Sequence, residues 1–172
     1  DICLDLGCGI GANTKHMASK TGKMGYSIGI DITDIMLKKA SKSIDKNTNY
    51  AFIHSDIENI PLKNESVDVV ISNCTFNHCI HKQSLWNEVY RILKPMTMVI
   101  VSDIYSHEVI PDEYHLNPDA IAECWAGAIT KNKNLEIIRQ AGFKKIDILE
   151  ESRSYKKGNT LLSSWTIRAL KE

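Results

Sequence analysis

Apolar residues in this chain come in short runs, and between the runs they recur at helical spacing. "ICLDL" (Ile2–Leu6) reads as a strand running into glycines, and "NTKHMASK" (13–20) as a helix. "YSIGID" (Tyr26–Asp31) is a second strand. In "TDIMLKKASKSI", Leu37, Ala40 and Ile44 share one helical face, with Thr33 or Asp34 placed to cap its start. "YAFIHSD" (50–56) is a third strand. "VDVVIS" (67–72) is a fourth, apolar on both faces apart from Asp68, as suits a central parallel strand. Leu85, Val89, Ile92 and Leu93 make a helix face that stops at Pro95. "MTMVIVSDI" is strand five. Leu135, Ile138 and Ala141 mark another helix, closed by Gly142. "KKIDILEE" is strand six, and "SSWTIRAL" (163–170), after a turn at "KKGN", is the last.

Strands alternating with helices imply an α/β fold: a doubly wound, mostly parallel, seven-stranded sheet with helices on both faces. The last two strands have no helix between them, so they are expected to be antiparallel neighbours at one edge, the last strand running antiparallel. Residues 105–134 depart furthest from strict alternation, and long insertions after a strand's C-terminal end often carry function in such folds.

With 172 residues, the whole chain (1–172) reads as a single domain with a sizeable core. Twenty-one basic and 21 acidic side chains cancel, with no block of like charge, which argues against a nucleic-acid partner. No apolar run approaches the ~18–20 residues needed to span a bilayer. The chain opens on Asp1 and a strand pattern, so no signal peptide is expected. Five cysteines, an odd count, do not read as a disulfide framework, and a reducing, cytoplasmic setting is expected. Cys3, inside a strand pattern, reads as a core thiol.

"LDLGCGIG" ends the first strand. Gly7, Gly9 and Gly11 let the backbone turn tightly and approach a ligand, and Gly7, Gly9 and Ala12 satisfy the dinucleotide pattern G-x-G-x-x-G/A. Asp31 ends strand two, 24 positions after Gly7, where a carboxylate can accept from ribose hydroxyls. Asp56 ends strand three, where a carboxylate can accept from an adenine amine. Three consecutive strand ends thus describe a pocket for an adenosine compound. Asp5, two residues before the first glycine, would repel a pyrophosphate but would welcome an ammonium or a sulfonium.

The D-x-G-x-G-x-G combination, with "GIDIT", "SDIENIPLKNESVDVVISN" and "RILKP", resembles the class I S-adenosylmethionine-dependent methyltransferases. The resemblance implies S-adenosyl-L-methionine as cofactor. Asp5, Gly7, Gly9 and Gly11 would serve its methionine end, Asp31 and Ile32 the ribose, and Asp56 and Ile57 the adenine. Asn73 and Cys74 would face the transferable methyl. An Asn/Asp-Pro-Pro-Tyr motif, the mark of adenine-N6 methylation, is replaced by "SNCTFN".

"ISNC" and "SDIYSHEVIPDEYHLNPDAIAECWAGAI" resemble one branch, the arsenite methyltransferases of arsenic detoxification. That resemblance makes Cys74 and Cys124, 50 positions apart, the catalytic pair that binds arsenic(III). Thiolates suit a soft, thiophilic centre, and a somewhat electropositive or polar setting would help the thiols lose their protons. The expected partner is therefore arsenite or its thiol conjugate, with neither nucleic acid nor membrane. Two features depart from the family. Asn13 and Thr14 stand where Asp-Cys often follows the glycine loop, leaving Cys79 or Cys8 as candidates for a third thiol. An N-terminal lid segment and a C-terminal extension are expected to be absent. His78, Cys79 and His81 read as bystanders, since Cys74-x4-Cys79 is a poor zinc spacing. Two alternatives stand beside this reading: methylation of a small organic molecule, and a truncated module that binds cofactor or arsenic without turnover.

Overall fold

The computed structural model describes residues 1–22, 24–43 and 48–172, with the backbone alone at residue 43. In chain order the elements are β1 (Ile2–Leu6), α1 (Ala12–Thr21), β2 (Tyr26–Asp31), α2 (Asp34–Ala40), β3 (Tyr50–His54), β4 (Val67–Asn73), α3 (Lys82–Ile92) and β5 (Leu93–Ser106). The short helices α4 (Asp112–His115) and α5 (Pro118–Ala122) follow, then α6 (Lys131–Gln140), β6 (Lys145–Glu151), β7 (Tyr155–Lys157) and β8 (Thr160–Lys171). Of the apolar face expected on α2, Leu37 and Ala40 are buried, and Ile44 lies outside the described residues.

One sheet runs in the order β3-β2-β1-β4-β5-β8-β6. The first five strands of that order are parallel, and β8 is antiparallel to both β5 and β6. The expected antiparallel pair therefore exists, with β6 at the edge and the last strand one place in. The short strand β7, not anticipated, adds an eighth strand by pairing with the start of β8. Gly158, at φ 55, turns the chain between them, where an L side chain is disfavoured.

The chain leaves β1 toward β2 and β3 on one side and returns to β4 and β5 on the other. The crevice at this reversal lies above the C-terminal ends of β1 and β4, where open α/β sheets bind ligands. Beneath it, Leu4, Leu6, Val70, Val99 and Val101 are fully or almost fully buried, as are Leu85, Trp86, Val89 and Ile92 of α3. Trp86 stands edge-on to Phe76 and Phe143, with ring centroids 5.1 and 5.7 Å away. Burial of each such side chain contributes roughly 1.5–3 kcal/mol.

The insertion of residues 105–134 builds a core of its own. Ile110, Ala120, Trp125, Ala126, Ala128 and Leu162 pack together, with the Tyr114 ring 4.9 Å from that of Trp125. Asn117 caps α5 by accepting from the N–H groups of Asp119 and Ala120, and Pro118 occupies the first turn, where its missing N–H costs nothing. Among the described residues, no helix is long and apolar enough to cross a membrane.

After Pro95, Met96 takes φ 63 at the bend that opens β5, with its side chain 79% exposed. A left-handed L residue costs ~1–2 kcal/mol, of which the flexibility of glycine in the unfolded chain returns part. Met96→Gly is therefore expected to stabilise the fold by ~0.5–1 kcal/mol, read as a higher urea midpoint at unchanged slope.

Candidate active site

The glycine loop is held down on its neighbours by backbone bonds. The N–H groups of Gly7 and Cys8 both donate to the Ile30 carbonyl, at 2.8 and 3.0 Å. Gly7 has φ 70, and a Cβ there would overlap the Thr75 side chain. Gly9 has φ 53, its N–H donates to Asp31 Oδ2 at 2.8 Å, and a Cβ there would project into open space. Asp31 Oδ1 accepts from the N–H of Thr33 at 2.8 Å, so one carboxylate ties the loop after β1 to the start of α2.

Beside this loop is a cavity of about 580 Å³. Gly7, Gly9, Asp31, Ile32, Asp56, Ile57 and Asn73 all line it, together with Cys74. The sequence-derived cofactor residues Asp5 and Gly11 do not. Asp5 is buried beneath the loop, accepting the Thr14 hydroxyl at 2.7 Å. Burial raises its pKa above the ordinary carboxylate value, and the Thr14 hydrogen bond pulls the other way. Thr14, standing in the place of the family's cysteine, thus anchors α1 to β1. Gly11, at φ 78, opens α1, where a Cβ would overlap the Phe52 ring. The cavity wall carries the carboxylates of Asp31, Asp56 and Glu58 and no lysine or arginine among the described residues.

Cys74 lines this cavity, and Cys124 is close enough to Cys74 to influence its thiol. Cys74 follows the end of β4 at φ 52, its N–H donating to the Ser102 carbonyl at 2.9 Å, and Cys124 sits in the insertion at φ 62. Left-handed non-glycine residues are uncommon and cluster at functional sites. The two thiols lie close enough for each to shift the other's pKa. The largest influence on both thiols is burial. Burial pushes Cys74 up to about 11 and also raises Cys124, and the Asp103 carboxylate adds to both shifts. Both are therefore neutral thiols at pH 7.

Cys124 lines a second cavity, of about 830 Å³, which shares His78, Cys79 and Ile80 with the first. Its wall holds Lys82, Lys133, His78, His81 and His115 and, among the described residues, no carboxylate. Cys79 packs on the main core and Cys8 lies beneath the loop, close to Gly29 and Thr14; burial pushes each thiol up to about 12. Among the described residues, no group of three or more His, Cys, Asp or Glu side chains is placed to hold a metal ion.

Three residues missed from the sequence organise this end of the site. Asn77 is buried, and its Nδ2 donates to Asp103 Oδ1 at 2.8 Å, the Ile104 carbonyl at 2.7 Å and the Cys124 carbonyl at 2.9 Å. Burial pushes Asp103 up to about 6, opposed by the N–H groups of Ile104 and Asn77. Lys82 Nζ donates to the Phe76 and Cys79 carbonyls at 3.2 and 3.0 Å. His81, at the start of α3, donates its backbone N–H to Glu58 and is the helix-start residue it was expected to be. His78 is not a bystander: its Nε2 lies 3.2 Å from Cys124 Sγ.

A family model described as a methyltransferase domain matches residues 1–142. The chain belongs to the methyltransferase domain family. An arsenite methyltransferase of Halobacterium salinarum is 35% identical over 167 residues, covering 96% of this methyltransferase chain and 42% of that protein. The human arsenite methyltransferase is 32% identical over 151 residues, covering 81% of this chain and 40% of that one. The crystal structure of an arsenic(III) S-adenosylmethionine methyltransferase from Chlamydomonas reinhardtii superposes with a TM-score of 0.89 at 29% identity. That superposition covers 99% of this chain and 63% of the algal one. The chain thus spans about two-fifths of the length of these curated relatives. S-adenosylmethionine is the cofactor of this methyltransferase fold, and the cavity suits it: carboxylates without lysine or arginine match a cationic ligand, and Gly9 leaves the approach open.

Proposed function

We propose that this chain transfers a methyl group from S-adenosylmethionine to trivalent arsenic held by Cys74 and Cys124. The observation that carries the reading is the proximity of these two thiols, 50 positions apart in sequence, with Cys74 in the wall of an acidic cavity beside a glycine loop. The arsenic(III) enzyme with the same fold and the arsenite methyltransferases at 32–35% identity support it.

In this reading Asp31 and Ile32 hold the ribose, Asp56 and Ile57 the adenine, and Gly7 and Gly9 the methionine end. Asn73 lies toward the methyl group. Asp5 and Gly11 serve from beneath, by fixing α1 and the loop. When bound, the cofactor supplies an electrophilic methyl carried on a sulfonium. The thiols supply the acceptor's geometry. Each S–H that condenses with arsenous acid forms an As–S bond, breaks an As–O bond and sends its proton out with the departing hydroxide as water. Neutral thiols therefore suffice, and the raised pKa values are no obstacle. The arsenic lone pair is the nucleophile and carries no proton, so no general base is required.

The test is thermal stability with S-adenosylhomocysteine and then with arsenite, since a ligand that binds only the folded state raises the midpoint. Wild type is expected to respond to both. Cys74→Ser is expected to keep the first shift, lose the second and form no methylated arsenic by mass spectrometry. Unchanged arsenite binding and turnover in Cys74→Ser would exclude the assignment.

The second cavity favours a further reading, methylation of a small organic molecule. At about 830 Å³ it exceeds what free arsenite fills, and Ile80, Leu116 and Ile121 line it beside the lysines. A thiol conjugate of arsenite reconciles the two readings. Product analysis with arsenite alone and with added thiol separates them.

A further inference from the structure

The reading above makes no use of His78. Its ring belongs to the walls of both cavities, and its Nε2 is 3.2 Å from Cys124 Sγ. The backbones on either side hold that approach. The short 3-10 turn Phe76–His78 is clamped from one side by Lys82, which binds the carbonyls of Phe76 and Cys79. From the other side, the Asn77 amide binds the Cys124 carbonyl at 2.9 Å. Gly127 brings the insertion so close to the Asn77 carbonyl that a Cβ would overlap its oxygen. His78 and Cys124 therefore ride on one bolted unit, although 46 positions separate them.

Cys124 needs such a hold. Its side chain is only partly buried, and besides Cys74 and His78 its Sγ meets the Ala122 carbonyl at a long 4.0 Å. A cysteine side chain has three staggered positions, and one of them must be selected if both sulfurs are to reach a single centre. We propose that His78 is the positioning residue for Cys124, holding its sulfur toward Cys74 so that the pair closes on one arsenic atom. The inference rests on the proposed arsenic-binding role of these two cysteines. It concerns orientation: the second As–S bond forms within the same molecule, and its effective concentration depends on where the second sulfur already points.

The experiment is an arsenite titration followed by Trp125 fluorescence, because Trp125 adjoins Cys124, together with steady-state kinetics. His78→Ala is expected to weaken arsenite binding by roughly 3–10-fold, the range of one lost rotamer choice and one hydrogen bond. KM for arsenite should rise by a similar factor, with kcat within about twofold if positioning alone is lost. His78→Gln, which keeps a polar group at similar reach, should recover most of the loss. In a Cys124→Ser background, His78→Ala should add nothing, because two groups acting as one unit are not additive. Equal arsenite affinity in His78→Ala and wild type, a pure loss of kcat, or additive effects in the double variant would overturn the proposal. No arsenite response in wild type would instead remove the arsenic reading itself, and this inference with it.

Discussion

Asn77→Ala is expected to lower the melting midpoint by roughly 6–12 °C, for a loss of about 3 kcal/mol in a domain of this size. The side-chain amide serves three acceptors, one of them the buried Asp103 carboxylate. The Asp103 carboxyl is 1% exposed, and the carbonyls of Ile104 and Cys124 face the same amide. Asp103 keeps the backbone N–H groups of residue 77 and Ile104, so the loss is that of the three side-chain bonds, ~1 kcal/mol each. The loss is also directional. It frees the loop carrying Cys124 from the turn carrying His78, while Gly9 and Asp31 are untouched. The shift induced by S-adenosylhomocysteine should therefore survive in the variant, and the shift induced by arsenite should disappear. Melting curves with each ligand check both halves, and an unchanged midpoint would show that the amide is dispensable.

Gly9→Leu is expected to do the reverse, keeping the fold and losing the cofactor. Its Cβ would meet nothing within 4 Å, and its N–H can still donate to Asp31. The cost to stability is then the left-handed backbone, ~1–2 kcal/mol. The new side chain, however, occupies the open approach above the loop, in a cavity whose acidic wall suits a cation. The variant should unfold cooperatively, a few degrees below wild type, with no midpoint shift at S-adenosylhomocysteine concentrations that saturate the wild type. A wild-type shift in Gly9→Leu would place the ligand elsewhere.

The strands and most helices are readable from the chain because their patterns are local. Val70 and Ser72 point one way from β4 and Val69 and Ile71 the other, and both faces are covered, so a continuous apolar run is what the fold requires. The position of β8 is different. Inserting it between β5 and β6 is a matter of long-range pairing, which "SSWTIRAL" does not encode by itself. Helices α4 and α5 are too short for periodicity to register. Asp31 and Asp56, read from strand ends, line the cavity, whereas Asp5 sits far enough back for its carboxylate to fall beneath the loop. The Cys74–Cys124 pairing came from family resemblance, since nothing in a spacing of 50 positions announces a contact. Asn77 and His78 were missed because their partners are equally distant. One signal was available: Asp103 interrupts the apolar run "VIVSDI", and a carboxylate buried there demands donors from another segment.

The antiparallel insertion of β8 also sets the order in which this molecule can assemble. Asp103 pairs across the sheet with Trp165, and Thr97 with Lys171, so β5 gains its second neighbour only when the final strand of the sequence arrives. Strand β6, synthesised earlier, finds its pairing partner in that same late strand. Loops of this length close at an entropic cost that must be met before the contacts form. The half of the sheet carrying the glycine loop can pair as it emerges, from β1 to β4, whereas the node around Asn77 and Asp103 waits for β8. A nascent or clipped molecule lacking β8 would keep the strands around the nucleoside cavity while leaving β5, which anchors the thiol end, with a bare edge.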